Sequence, residues 1–149
     1  MPNHSEPARI SFSGLRAEHG YLSNFWPAHI TLKGVVWPTS EHYFQAQKFA
    51  GTAHEEAIRQ VHSPMIAARM GRSRARPLRP DWDAVKEQIM LEALRAKFGQ
   101  HADLAARLRA TGDALLVEHR ARDAYWGDGA DGRGRNRLGA LLMCVRDEL

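Results

Sequence analysis

The spacing of apolar and polar positions changes near residue 40, from short β-type runs to helical repeats. The first runs are ARISFSG (8–14) and HITLKGVVW (29–37), which glycine and proline residues separate. The second run predicts a hairpin of two short strands that turns at Lys33-Gly34. The segment LSNFWP (22–27), which lies between the two runs, predicts a loop.

Helical spacing dominates after that point. We expect Ser40 to cap a first helix, and a second helix follows over about residues 54–61. A third helix is predicted over 63–71, because it opens with serine and proline and closes with glycine. The longest helix is predicted over 81–99, between an aspartate cap and a glycine stop.

The rest of the chain predicts a short helix at 103–110, a strand at 114–119 and a loop at 125–139. The final segment (137–149) predicts an amphipathic helix, with Cys144 expected in the core. Its inward positions are expected to be Leu138, Leu141, Leu142 and Val145. Together these elements predict an α+β fold, a mostly helical single domain over residues 1–149 with a small N-terminal antiparallel sheet.

Composition and charge narrow the class of protein. The 149 residues are 44% hydrophobic and 26% charged, which suits one globular domain. No apolar run reaches the length of a membrane span and no secretory signal is visible, so we expect a cytoplasmic protein without membrane contact. A single cysteine and the histidine spacing provide no metal motif, so we predict no metal and no cofactor. The net charge of +4 favours an anionic partner such as a nucleotide or nucleic acid.

Three polar residues fall on one stripe of the otherwise aromatic helix that starts near residue 40. At 100° per residue, Glu41, Gln45 and Lys48 lie within about 60° of one another. One interpretation is a solvent-exposed face with complementary charges. The other is the wall of a cleft, in which Glu41 is a general acid or base and a desolvated Lys48 is a nucleophilic amine. The spacing leaves both interpretations open.

Two further segments suit a flat or phosphorylated ligand. The loop 126–139 carries five of the 12 glycines, whose backbone N–H groups can approach phosphate, and Trp126 at its entrance suits stacking on a base. The run 69–79 holds five arginines that suit a pyrophosphate or a nucleic-acid backbone. A surface turn and a solvated basic loop are the respective alternatives. Trp82 fits either a core position or a second stacking face.

Six segments, in this order along the chain, resemble the NADAR family, which is also called YbiA-like. They are YLSNFWP (21–27), PTSEHYFQAQKF (38–49), DWDAVKEQIMLEALRAKF (81–98), TGDALLVE (111–118), the D-x-x-WG-x-G of 123–129 and the N-x-LG-x-LLM of 136–143. These segments cover most of the chain, and their combination is specific. The arginine run fits the family's glycine-arginine block only loosely.

The resemblance implies an N-glycosidase, because family members of two kinds cleave a ribose from an exocyclic amine. One kind hydrolyses phosphoribosylamino-pyrimidine intermediates of riboflavin biosynthesis. The other removes ADP-ribose from guanine in nucleic acid, sometimes beside a toxin that ADP-ribosylates DNA. By matching positions, the implied pocket consists of Asn24, Phe25, Glu41, His42, Gln45, Lys48, Trp82, Asp123, Trp126, Gly127, Gly129 and Asn136.

The resemblance also suggests a mechanism. Lys48 would hold the sugar as a Schiff base while Glu41 and Asp123 move protons; the rival is direct displacement by water, with Lys48 only holding a phosphate or hydroxyl. The basic charge favours ADP-ribosylated guanine in DNA or RNA as substrate, and a riboflavin-pathway ribosylamine is the alternative. A module that binds ADP-ribose without cleaving it is the alternative from another class. We expect a monomer, and a DNA-modifying toxin is the genetic partner that the resemblance suggests.

Overall fold

The computed structural model describes residues 7–15 and 18–149. In chain order the elements are β1 (Arg9–Phe12), a 3-10 turn (Gly20–Leu22), β2 (Ile30–Leu32), β3 (Val35–Trp37), α1 (Ser40–Ala46), a 3-10 turn (Gln47–Phe49), α2 (Ala53–Arg59), α3 (Pro64–Arg72), α4 (Trp82–Gln100), α5 (Ala102–Ala110), β4 (Leu115–Glu118) and α6 (Arg137–Glu148). Helices outweigh strands, so the predicted α+β, mostly helical class is confirmed.

The described residues fall into two compact units. One unit comprises residues 24–102, and the other comprises 103–149 together with the described residues up to 23. Each unit holds one pair of strands and its own helices. In the part of the chain that the structure covers, no helix combines the length and the apolar character that crossing a bilayer requires.

Strands β2 and β3 form the predicted antiparallel hairpin, with Ile30 opposite Trp37. The turn residues Lys33 and Gly34 have φ angles of 56° and 76°. Positive φ at both central positions belongs to a type I′ turn, whose twist matches that of the two strands. The hairpin is the small antiparallel sheet that the sequence predicts.

Helix α1 has a different cap and a different end from those expected. Thr39, instead of Ser40, is the cap residue, because its hydroxyl accepts a hydrogen bond from the backbone N–H of His42 at 3.1 Å. After seven residues the helix tightens into a 3-10 turn, and this turn contains Lys48. The prediction that one regular α-helix spaces Lys48 from Glu41 is therefore wrong, since a 3-10 turn has about three residues per turn.

Helices α2, α3 and α4 follow the predicted order, with ends shifted by one or two residues. Ser63 caps α3 by accepting a hydrogen bond from the backbone N–H of Met65, and Pro64 occupies the first helical position. Helix α4 continues one residue past Gly99. Apolar residues recur at helical spacing along α4, and Ile89, Ala93, Leu94 and Phe98 among them are buried, while Val85 is half-buried.

Strands β1 and β4 pair in parallel in the other unit, with Arg9 opposite Leu115 and Phe12 opposite Glu118. Strand β1 therefore lies outside the antiparallel sheet in which the sequence places it. A parallel pair needs a long connection, and here the two strands are about a hundred residues apart in sequence. The local pattern of β1 carries no information about so distant a partner.

Helix α6 buries its four predicted inward residues, Leu138, Leu141, Leu142 and Val145. Cys144, which the sequence places in the core, is exposed. At 100° per residue Cys144 lies about 160° from Leu142 and about 60° beyond Leu141, so its side chain falls just outside the edge of the buried stripe.

Candidate active site

Helix α1 is buried along its whole length, including its polar residues. Glu41 and Gln45 are each 7% exposed, and Lys48 in the following turn is 9% exposed. The interpretation of these residues as a solvated face is therefore wrong. Burying a carboxylate, an amide and an amine costs free energy unless the groups find partners, so their contacts define what the site can do.

The Lys48 ammonium lies between a helix end and two aromatic rings. Its Nζ donates a hydrogen bond to the carbonyl oxygen of Gly71, 3.4 Å away in the last turn of α3. The same Nζ is 5.9 Å from the centroid of the Phe44 ring and 5.7 Å from that of the Trp82 ring. Carbonyl oxygens at a helix C-terminus carry partial negative charge and aromatic faces attract cations, so both contacts hold the amine in place.

Burial lowers the pKa of Lys48 from its ordinary 10.5 to about 8. Desolvation is the largest cause, because removal from water penalises the ammonium form. The negative charge of Glu41 raises the pKa, whereas the positive charges of Arg74 and Arg72 lower it further. A lysine with this pKa has an appreciable neutral fraction near pH 7, and the neutral amine is the form that attacks carbon.

Glu41 is held both by its carboxylate and by its backbone. Its Oε1 accepts a hydrogen bond from Nε2 of Gln45, one turn further along α1, at 2.8 Å. Its backbone N–H donates to the carbonyl oxygen of Asn24 at 3.2 Å. Asn24 is fixed in turn by Ser40, whose hydroxyl donates to Asn24 Oδ1 at 2.7 Å. The predicted loop 22–27 thus fastens the start of the helix that presents the carboxylate.

His42 has a different environment within the same unit. It is fully buried, and its ring nitrogens lie 2.8 Å from the hydroxyl of Thr39 and 2.9 Å from the carbonyl oxygen of Val61. Desolvation lowers the pKa of His42. These contacts assign His42 to the support of α1, and the substrate contact that the resemblance implies stays a prediction.

Trp82, at the start of α4, combines both roles that the sequence leaves open. It is 8% exposed and packs on Phe44 with 5.1 Å between ring centroids, which makes it a core residue. It also faces the Lys48 amine, as the ring distance above shows. Phe25 is half-buried, and its contact with a substrate is a prediction.

The loop before α6 holds the predicted residues of the other unit. Asp123 Oδ1 accepts hydrogen bonds from the backbone N–H groups of Tyr125 at 3.0 Å and Trp126 at 2.8 Å. This Asx turn fixes the backbone at Trp126. The Trp126 ring is half-buried, and its centroid lies 4.9 Å from that of the Tyr125 ring. Gly127 and Gly129 are buried, so the first part of the loop is packed, whereas residues 130–133 are exposed and form a surface turn.

Asn136 fastens this loop to strand β4. Its Oδ1 accepts a hydrogen bond from the backbone N–H of Glu118 at 3.0 Å, and its Nδ2 donates to the carbonyl oxygen of Leu116 at 2.9 Å. Its φ of 49° is a left-handed conformation that asparagine adopts more readily than most residues. The structure thus gives Asn136 a scaffolding role, and its predicted contact with substrate remains a prediction.

The predicted site residues form two groups, each within its own unit. The unit of residues 24–102 brings together Asn24, Glu41, Gln45, Lys48 and Trp82. The other unit brings together Asp123, Trp126, Gly127, Gly129 and Asn136. Across residues 7–15 and 18–149 the side chains form no group of three or more His, Cys, Asp or Glu that is suited to hold a metal ion.

Comparison with known proteins decides the family. The model of the NADAR domain matches residues 11–149. The chain belongs to the NADAR family. It is 58% identical over 142 residues to the N-glycosidase YbiA of Escherichia coli (strain K12), a match that covers 94% of this chain and 88% of the relative. The NMR structure of the E. coli protein YbiA has a TM-score of 0.88 and 56% identity, and the match covers 97% of this chain and 86% of that chain.

A second relative is a longer protein, and the chain matches only part of it. The chain is 47% identical over 131 residues to a riboflavin biosynthesis protein of Vibrio vulnificus (strain YJ016), which covers 88% of this chain and 36% of the relative. The YbiA match has high identity over most of both proteins, so this NADAR chain is an enzyme of the N-glycosidase type.

Sequence reasoning missed three features of this NADAR structure. Gly71 accepts a hydrogen bond from Lys48, whereas the sequence marks this glycine only as the end of a helix. Lys97 is fully buried in α4, and desolvation lowers its pKa to about 7. The sequence could have indicated this burial, because Lys97 lies at helical spacing from buried apolar positions. His119 Nδ1 lies 3.0 Å from Oδ2 of Asp128, and this contact lowers the pKa of the Asp128 carboxyl.

The arginine run divides into braced and exposed residues. Arg79 pairs with Asp81 at 2.6 Å and donates to the carbonyl oxygen of Gln47 at 3.2 Å, so it braces the chain beside Lys48. Arg76 is half-buried. The exposed members of the run are Arg69, Arg72 and Arg74.

Proposed function

We propose that this NADAR enzyme hydrolyses the bond between ribose C1 and an exocyclic amine of a base, with Lys48 as covalent nucleophile. The observation that carries the proposal is the buried Lys48 amine, whose pKa is lowered to about 8. This amine interacts electrostatically with the buried Glu41 carboxylate. A lysine that only binds phosphate works best when it is fully charged. The lowered pKa therefore favours the Schiff-base route over direct attack by water.

All the bonds that change are at ribose C1. Opening of the sugar ring converts the C1–N bond to an imine, and the ring oxygen takes up a proton. The neutral Lys48 amine adds to C1, the base leaves as its free amine, and C1 is then double-bonded to Nζ. Water adds to C1 and releases the ribose as an aldehyde, which restores the Lys48 amine. One water is consumed for each base released.

Glu41 is the proposed proton carrier for these steps. Addition of the amine to C1 frees a proton from Nζ, and departure of the base requires a proton on its nitrogen. A carboxylate that Gln45 orients at 2.8 Å is suited to accept the first proton and to donate the second. We assign Asp123 as the second acid/base group by its position in the family motif. Trp126 is proposed as the surface on which the base stacks.

A phosphoribosylamino-pyrimidine is the substrate that we propose first. Support comes from the relative of V. vulnificus, in which a domain like this chain is part of a protein named for riboflavin biosynthesis. Such a substrate offers a ribose C1 on an exocyclic amine and a single phosphate. The sequence alone favours ADP-ribosylated guanine, and the name of this relative reverses that order.

ADP-ribosylated guanine in nucleic acid is the second candidate, and the exposed arginines favour it. Arg69, Arg72 and Arg74 are exposed and lie within six residues of one another, so they suit contact with successive phosphates. Arg79 forms an ion pair with Asp81, so the five arginines of residues 69–79 provide less free positive charge than the sequence suggests.

The test is release of product from each substrate in parallel. A phosphoribosylamino-pyrimidine and an oligonucleotide that bears ADP-ribose on one guanine are incubated with wild type, Lys48→Ala and Lys86→Ala, and the products are separated by HPLC. Lys86, on α4, forms an ion pair with Asp83 at 3.2 Å and serves as the matched lysine control. We expect wild type and Lys86→Ala to release base and Lys48→Ala to release none.

Each other outcome changes a specific part of the proposal. Release by Lys48→Ala at the wild-type rate keeps the glycosidase and refutes the covalent route. Release from the oligonucleotide alone makes the second candidate the substrate. Tight binding of intact substrate by folded wild type, with no release from either compound, favours a binding module over the proposed reaction.

A further inference from the structure

Gly71, in the last turn of α3, lies directly against the side chain of Gln45. A β-carbon on Gly71 would come within 1.8 Å of Oε1, 2.7 Å of Cδ and 3.1 Å of Cβ of Gln45. Non-bonded atoms do not approach to the first two of these distances, so a side chain at position 71 would displace the Gln45 amide. The observed place of the amide therefore requires glycine.

The Gln45 amide is held in an orientation that serves Glu41. Its Nε2 donates to Glu41 Oε1 at 2.8 Å, while its own Oε1 is buried with no hydrogen-bond partner among the described residues. Exchanging the positions of Oε1 and Nε2 would turn Oε1 toward the Glu41 carboxylate, where two hydrogen-bond acceptors would face each other. In the observed orientation the Gln45 amide keeps its hydrogen bond to Glu41, and its own oxygen is left without a hydrogen bond.

Gly71 also contacts the proposed nucleophile. Its carbonyl oxygen accepts hydrogen bonds from Lys48 Nζ and from Nη1 of Arg74, each at 3.4 Å. Gly71 thus holds the Lys48 amine through its carbonyl oxygen. Because it has no side chain, it also leaves the space that the Gln45 amide occupies beside Glu41.

We propose that Gly71 is a positioning residue that sets Glu41, through Gln45, and Lys48, through its own carbonyl, for the reaction at ribose C1. The inference rests on the proposed function, and in it Gln45 acts on Glu41 instead of on the substrate. Neither Gly71 nor Gln45 takes part in a bond that forms or breaks at ribose C1; each acts through the residue that it holds.

The substitution Gly71→Ala tests this arrangement. The colliding atoms belong mostly to the far end of a flexible side chain, so the Gln45 amide moves while the backbone of α3 stays. Gly99→Ala is the matched control, because it makes the same change inside α4, where nothing lies within 4 Å of the new β-carbon. We expect kcat to fall about tenfold or more in Gly71→Ala with KM within about twofold, and neither to change in Gly99→Ala.

A double-mutant cycle shows whether Gly71 acts through Gln45. Gln45→Ala removes the colliding amide, so adding Gly71→Ala to it leaves one close approach, 3.1 Å between two β-carbons, which a shift of a few tenths of an ångström relieves. If Gly71 works by seating Gln45, the double variant has the kcat of Gln45→Ala alone. Independent losses of kcat that multiply in the double variant would overturn the inference, and so would wild-type kcat in Gly71→Ala.

A readout that needs no turnover separates this inference from the proposed function. The side-chain NH2 signals of Gln45 are assigned in a 15N–1H spectrum by their loss in Gln45→Ala. They should move in Gly71→Ala and stay in Gly99→Ala. If wild type releases no base from any substrate, the proposed function fails while these signals still decide the geometry. Unmoved signals in Gly71→Ala would refute the seating of Gln45 by Gly71.

Discussion

The lowered pKa of Lys48 predicts the shape of the pH–rate profile. At its pKa of about 8, Lys48 is neutral in about one molecule in 11 at pH 7. A lysine with the ordinary pKa of 10.5 would be neutral in only about one molecule in 3,000, since each unit is a factor of ten. Burial thus multiplies the reactive amine about 300-fold at pH 7. We expect kcat/KM to rise about tenfold per pH unit below pH 8 and to level off above it.

A charge substitution near Lys48 moves this profile in a known direction. The positive charge of Arg74 lowers the pKa of Lys48, so Arg74→Gln should raise that pKa and move the break to higher pH. The assay is initial-rate measurement of base release between pH 6.5 and 9.5 with wild type, Arg74→Gln and Lys48→Ala. The variant should be slower than wild type at pH 7 and approach it at pH 9.5.

The control is Lys48→Ala, which should release no base at any pH in this range. A wild-type profile that is flat between pH 6.5 and 9.5 would refute the role of the neutral amine. A break that moves to lower pH in Arg74→Gln would refute the electrostatic cause.

Three further predictions concern stability and substrate. Thr39→Ala removes the cap of α1 and should cost about 1 kcal/mol in urea unfolding, because an N–H of the first turn loses its acceptor. Lys97 has a folded pKa of about 7 and an unfolded pKa of 10.5, so the unfolded chain binds more protons between these values and wild-type stability should rise from pH 7 to 10.5. Lys97→Met should raise the urea midpoint at pH 7 and flatten part of that rise, and an unchanged rise would contradict burial of the charge. Between 50 and 200 mM salt, release from an oligonucleotide should fall steeply if Arg69 and Arg72 contact its backbone, while release from a phosphoribosylamino-pyrimidine should change little.

The elements that were predicted correctly from the sequence depend on interactions between residues close together in the chain. The Lys33-Gly34 turn and the Ser63-Pro64 helix start are confirmed, because turn and cap preferences act over a few residues. The partner of β1 was out of reach, because Arg9 and Leu115 meet only through long-range packing. Cys144 shows a different limit, since an apolar helix sequence does not say which residue falls just outside the buried stripe.

The site was predictable as a set of residues but not as a set of contacts. Spacing grouped Glu41, Gln45 and Lys48 and left two interpretations, and only burial distinguished them. That burial comes from α3 and Trp82, whose packing against α1 no periodicity reveals. The role of Gly71 was hidden for the same reason, because close approach between two helices is a property of their packing.

Trapping of the sugar on the enzyme distinguishes the Schiff-base route from direct displacement by water. Wild type and Lys48→Ala are mixed with a phosphoribosylamino-pyrimidine during turnover, sodium borohydride is added, and the intact mass and peptide masses are measured. We expect a stable ribose phosphate adduct on Lys48 in wild type and none in the variant, because borohydride reduces the C1=Nζ bond. Full turnover by wild type with no adduct on Lys48 would refute the covalent role of Lys48 and leave direct displacement by water as the mechanism.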